Sequence, residues 1–402
     1  MIFFILLSAA FFFRVVFFPT QFIYLVQFAV TAMMLAVIII MEIYGKRDPI
    51  THNFRQPVFL IFTGVFLSMV IAQAYHNQSY MLTFWAQRFM YYYLFYFFLH
   101  ILRPDTKELE KVILTLGIVY AISYLFQYAI YPTAIFDVRQ DVDRGTIRIF
   151  IPGSSFMGLS LFMCLHRFYT SNKLRYIFLV LLFFSILILI GTRYALAITA
   201  FTAIMSLIFS NVVRSRYLIF MLFLISAIPV YFIFQDIFAG LIEVSEEQSE
   251  TIQSNVRIRA ATFFLTDFFP NTLSYFFGNG QDHMGSIYGL RVHAYKVARG
   301  FYQSDIGLIG DFSKFGLFFL IGVFWLLIKA LRSPVKQRYT YIKYYLFNTV
   351  LALPVAGSFT NPFSIVTLCI ILYIIDNSIH DLKETGASEK LNNDLENQPD
   401  DG

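Results

Sequence analysis

The chain has 402 residues, of which 58% are hydrophobic and only 14% charged, with a net charge of +5 and a mean hydropathy of +0.65. That profile excludes a soluble globular domain, and apolar runs of roughly 18 to 20 residues recur along the whole length, which excludes a soluble protein carrying one cleavable leader. The two cysteines, Cys164 and Cys369, both lie in apolar runs, so neither a disulfide framework nor a Cys-based metal centre is available.

The first apolar run, Ile2 to Phe13, stops at Arg14 and reads as a signal-anchor or as a span extended through Phe18. Further spans are expected near 20–43, 57–75, 81–102, 110–131, 150–166, 174–190, 194–211, 217–235, 305–328, 341–356 and 362–380. The fold class is therefore all-α, a polytopic membrane protein of about twelve spans, or eleven without the first. With the N-terminus inside, the short inner loops hold Lys46, Arg47 and Arg55; Arg103, Lys107 and Lys111; Arg167, Lys173 and Arg175; Arg214 and Arg216; and Lys329, Arg332, Lys336, Arg338 and Lys343. The short outer loops, His76 to Tyr80 and Gly357 to Asn361, carry no Lys or Arg, as the positive-inside rule requires. Domains follow as 1–235 (nine spans), 236–304 (a large outer loop), 305–380 (three spans) and 381–402, a polar tail of disordered type on the inner side.

Three outer segments break the charge rule. They are 131–153, "YPTAIFDVRQDVDRGTIRIFIPG", the turn "GTR" at 191–193, and the segment from Gln235 to Ser304. Arg193 is the only charged residue between Tyr176 and Val213. An apolar stretch of about 38 residues is long enough for two spans of roughly 20 joined by a minimal turn, which puts Arg193 at the outer mouth of a helix. Two readings are open there: snorkelling to outer headgroups, or facing the bundle to bind an anion.

In the long outer segment, Ser245-x-x-Gln248 has the form of a capping box, and a helix is expected from there until Pro270. Ile252, Val256 and Phe263 share one stripe with Arg259, which reads as an amphipathic helix lying on the outer membrane surface. After it come "FFGNG" and a basic, aromatic, glycine-containing stretch with His283, Arg291, His293, Lys296 and Arg299. Such residues suit a diphosphate and sugars. Asp141-x-Asp143 has the form of a metal-holding DxD pair, but Arg139 and Arg144 flank it as ion-pair partners, and so short a pattern recurs by chance, so no metal is assigned. No P-loop, dinucleotide fingerprint or nucleophile elbow occurs, and no cofactor or nucleic acid is implied.

The order of these features resembles the O-antigen polymerase and ligase superfamily, the Wzy-type enzymes acting on undecaprenyl-diphosphate-linked saccharides. The features are "RIFIPGSSFMG" with Arg148, "GTRYALAI", "RIRAATFFLTDFFPN" followed by "FGNG", and "YQSDIGLIGDFSKFG". The resemblance covers about Tyr131 to Leu331. It implies a GT-C-like glycosyltransferase architecture, a bacterial inner-membrane location with both termini cytoplasmic, and chain-length regulator and flippase partners beside membrane lipid. Where ligases of the superfamily show His-Asn, followed by a Gly about where Gly316 lies, this chain has Ser304-Asp305, which favours the polymerase branch.

The implied reaction moves a glycan from a lipid diphosphate to a sugar hydroxyl. Arg193 and Arg148 are then the diphosphate ligands, with Arg257 or Arg259 reaching in from the surface helix, because the guanidinium fork bonds phosphate oxygens bidentately and keeps its proton. Asp305 is the candidate base and His293 the second. Asp305 also reads as a helix N-terminal residue favoured by the dipole. Arg291 and Arg299 are saccharide or phosphate contacts, or solvated loop charges. The rival classes are a ligase of the same superfamily, a lipid-linked oligosaccharide flippase, and a non-catalytic protein whose outer arginines bind anionic lipid. No internal repeat of the kind common in transporters is found.

Overall fold

A computed structural model describes residues 1–44, 52–143, 146–209, 256–355 and 359–396. Helices α1 (Ile2–Ala9), α2 (Thr20–Tyr44), α3 (Arg55–His76), α4 (Tyr80–Ala86), α5 (Leu94–Leu102) and α6 (Thr106–Ala129) precede a hairpin of β1 (Gln140–Asp143) and β2 (Thr146–Ile149). Then follow α7 (Ser154–Ser171), α8 (Leu174–Ile190), α9 (Arg193–Phe209), α10 (Val256–Leu265), α11 (Thr272–Phe277), α12 (Ile287–Arg299), α13 (Gly307–Arg332), α14 (Tyr341–Ala352) and α15 (Pro362–Glu396). Among the described residues, five helical stretches are long and apolar enough to cross a membrane: α2, α3, α6, Gln303–Arg332 and Pro362–Thr385. Helices α8 and α9 are shorter apolar helices whose bounds follow the expected spans closely. The span expected at 217–235, the capping box and Ile252 lie outside the described residues.

The core is built around α15, in which every residue from Ile365 to Asp376 is buried. A helix apolar all round belongs at such a centre. Around it, close helix approach is set by small residues: a Cβ on Gly64 of α3 would strike the Phe319 backbone of α13, and one on Gly322 would strike Ile61. Such contacts let membrane helices pack backbone to backbone.

Several expectations change. The first run is not a span. Helix α1 has eight residues, about 12 Å at 1.5 Å per residue, against about 30 Å of hydrocarbon. It ends where Phe11, Phe12, Phe13 and Arg14 all take positive φ, near 50–55°. This conformation costs about 1–2 kcal/mol per residue and is held by packing, Phe13 being buried and Phe11 lying edge-on to Phe89. The expected span 81–102 is broken into α4, a 3₁₀ segment Arg88–Tyr93 and α5. Arg88 sits in the break, over the rings of Tyr24 and Phe89, and donates to Gln27 Oε1 at 3.4 Å. An interior charge there is met by rings and an amide.

The fold is not purely helical, because 140–143 and 146–149 are extended, with Asp141 opposite Arg148 and Val142 opposite Ile147. In TIRI the two ends, Thr146 and Ile149, are buried, while Ile147 and Arg148 are half-buried. The helical backbone also continues past Asp381 to Glu396, through the stretch whose composition is of disordered type. Lys, Glu and Leu there are good helix formers extending a helix already nucleated in the bundle.

Candidate functional site

The hairpin lies against α8, and the first turn of α9, α10 and the Gln303–Ile306 turn meet it at one end of the bundle. At that end the α8 helix finishes at Gly191, whose φ of +65° closes the helix in the left-handed region. Strand β2 lies against this turn. Thr146 Oγ1 donates to Leu189 O at 3.0 Å, Arg148 Nε donates to Ile190 O at 3.3 Å, and the Arg148 stem lies in van der Waals reach, 3.6 Å, of where a Cβ on Gly191 would sit. The turn "GTR" and Arg148, far apart in sequence, are therefore joined through Ile190, 42 residues from Arg148. Arg148 also lies over the Phe150 ring, 5.0 Å from its centroid.

Beside Arg193 stands Tyr194, and the charges of Arg257, Asp305 and Arg148 all act on its hydroxyl. Four elements thus converge: β2, the first turn of α9, α10, and the 3₁₀ turn Gln303–Ile306 that leads into α13. Arg148 and Arg193 are half-buried, and Arg257 and Asp305 are exposed, so the group is open to a ligand from outside. Ser304 Oγ donates to Asp305 Oδ1 at 3.1 Å. The junction behind Asp305 is fixed: Gly307 (φ +53°) packs on the Leu353 carbonyl, and Leu308 N donates to Leu353 O. Tyr194 was missed in the sequence although it adjoins Arg193; only the fold shows which charges surround it.

The outer segment forms a small folded unit on this end. Ala260, Phe263, Phe264, Phe268, Tyr288, Val292, Phe301 and Ile306 make its core. Helix α10 turns Ala260, Phe263 and Phe264 inward, an i, i+3, i+4 face, and leaves Val256 and Ile258 exposed. The expected stripe of Val256 and Phe263 on a membrane surface is corrected accordingly, because aromatic residues later in the loop cover Phe263. The unit is anchored by "FGNG". Asn279 and Gly280 donate backbone bonds to Ser313 O and Lys314 O, and Asn279 Oδ1 bonds His76 Nε2 at 3.0 Å. Gly316 (φ +72°, ψ −169°) breaks α13 against the backbone of Phe276 to Gly278. His76 in turn stacks on Tyr288, 4.2 Å between centroids, and burial pushes the Tyr288 phenol well above its usual range.

The remaining expected residues separate from the Tyr194 group. Arg259 and Arg299 flank one ring, Phe301, at 5.8 and 6.0 Å, and Arg299 also lies near Phe263 and Tyr295. Two residues apart on a helix, Arg257 and Arg259 cannot share a face, which is why only Arg257 acts on Tyr194. Arg291 acts on His76 and Tyr288 instead. His293 is exposed on α12, and no described contact joins it to the Tyr194 group.

The side chains of Asp141 and Asp143, and Arg144, lie outside the described residues. Among those that are described, His380, Asp381 and Glu384 are the one grouping whose ligand atoms lie close enough for a common ion. They sit at the opposite end of the bundle on α15, with Asp381 already held by Lys336 at 2.7 Å. Compared with protein-family models and with curated proteins, the chain matches none.

Proposed function

We propose that the chain is a glycosyltransferase that polymerises lipid-linked oligosaccharide units on a polyprenyl diphosphate donor such as undecaprenyl diphosphate, at the outer face of a bacterial inner membrane, in a GT-C-like bundle of about eleven spans. The observation that carries this reading is the convergence of Arg148, Arg257 and Asp305 on Tyr194, next to Arg193. Several cations and one carboxylate around a single open point are what the reaction needs. The anomeric C–O bond to the diphosphate breaks, the acceptor hydroxyl oxygen bonds to that carbon, and the hydroxyl proton passes to a carboxylate.

Diphosphate is a competent leaving group, and the charge growing on it is stabilised by fixed guanidinium groups in place of a proton donor. Arg148 is positioned for this by its bond to Ile190 O and its stem on Gly191. Asp305 is assigned the base role, since it is exposed and sits on a turn fixed against α14.

Reconstitution with a lipid-linked repeat unit tests the assignment. Growing chains support a polymerase, transfer to a different acceptor a ligase, and movement without new bonds a flippase. Arg148→Ala and Arg193→Ala are expected to lower chain growth by roughly a hundredfold or more, the scale of losing a fixed charge-stabilising group, with the protein at normal level in the membrane. A full-length glycan ladder from either variant removes the diphosphate-clamp assignment.

A further inference from the structure

A cavity of about 810 Å³ shares no lining residue with the Tyr194 group. It lies between α2, α3 and α5 and is lined by Leu35, Phe59, Phe62 and Phe66 among others, with Glu42 and Arg55 at one end. Along α2 the lining runs from Thr31 to Glu42, about 16 Å, and along α3 from Arg55 to Leu67, about 18 Å, at 1.5 Å per residue. That is about half of a 30 Å hydrocarbon layer, the depth of one leaflet. A groove of that depth with an apolar lining fits a hydrocarbon chain.

The charged end selects the headgroup. Arg55 lies over the Phe59 ring at 5.3 Å, and neither Arg55 nor Glu42 forms an ion pair with a described residue. Opposite charges lining the same end of an apolar groove match a zwitterion. We propose that this groove binds one glycerophospholipid with a primary ammonium, its phosphate on Arg55, its ammonium on Glu42 and one acyl chain along Phe59, Phe62 and Phe66. Both heads belong to the leaflet opposite the Tyr194 group, because Arg55 opens α3 while His76, at the site end, closes it. The site is independent of the glycosyl-transfer reading.

Native mass spectrometry of the full chain, exchanged into vesicles of phosphatidylethanolamine or phosphatidylglycerol and then solubilised, tests it. The expected result is one phosphatidylethanolamine retained per chain, preferred about fivefold over phosphatidylglycerol, the scale of one exposed charge pair. Glu42→Gln should remove the preference while a phospholipid is still retained, and Arg55→Gln should lower retention of both. Equal retention of the two lipids by the unaltered chain, or a preference that survives Glu42→Gln, overturns the proposal. A phosphatidylethanolamine carrying a photoreactive acyl chain gives a second measurement on the unaltered chain. Labels should concentrate on Leu35 to Ile38 and Phe62 to Phe66. An even spread over the exposed face of α13, at Leu317, Ile321 and Phe324, overturns it too.

Discussion

The two ends of the bundle hold arginines such as Arg167 and Arg338, or Arg259 and Arg299, by different partners. At the end where α6 begins and α7 finishes, charges are matched internally. Glu110, buried on α6, accepts from Arg167 at 2.9 Å, from Arg338 at 2.5 Å and from the Tyr341 hydroxyl at 3.0 Å. Asp376 likewise accepts from Tyr96 at 2.6 Å and Asn53 at 2.8 Å, and contacts His100 at 3.0 Å. At the other end Arg259 and Arg299 rest on aromatic rings, and Arg148 is steadied by a backbone carbonyl and a ring. Carboxylates partner arginine at the first end and hold helices together. At the second end aromatic faces hold Arg259 and Arg299, an arrangement that orients the guanidinium and leaves its charge in place.

Substitutions can break this contrast. Glu110→Gln keeps the shape but removes the anion shared by Arg167 and Arg338, and should cost about 3 kcal/mol, read as a lower unfolding midpoint in detergent. Gly316→Ala attacks the other end through the backbone. Its φ and ψ are nearly glycine-only, and a Cβ would strike Gly278, so a loss of about 1–3 kcal/mol is expected with early release of the 256–306 unit, visible as proteolysis in that segment. Arg148→Lys keeps the charge and loses the fork. It should slow glycosyl transfer roughly tenfold, about 1.4 kcal/mol, with the unfolding midpoint unchanged. Lys336→Ala removes a pair whose side chains are 41% and 46% exposed, and should change stability by less than about 1 kcal/mol. If Glu110→Gln shifts the midpoint no more than Lys336→Ala, internal pairing does not distinguish the first end.

What the residues alone determined follows from their local chemistry. Apolar length and loop charge suffice to mark α2, α3, α6, α8 and α9, since crossing hydrocarbon requires a continuous run with its backbone bonds satisfied internally. The same reasoning found Arg193 and Arg148, because a charge beside so much apolar sequence needs an account. It passed over Arg88 and misjudged the first run, where the answer depends on Tyr24, Gln27 and Phe89 brought from elsewhere in the chain. It also left His293 beside Asp305 as a candidate base, which linear proximity cannot separate. Only the tertiary structure decided that Arg148 lies on the Gly191 turn, that Arg257 and not Arg259 reaches Tyr194, and that the loop helix packs on its own aromatics. Each of these is a contact between segments tens of residues apart, governed by how helices and hairpin stack, and no local pattern encodes that distance.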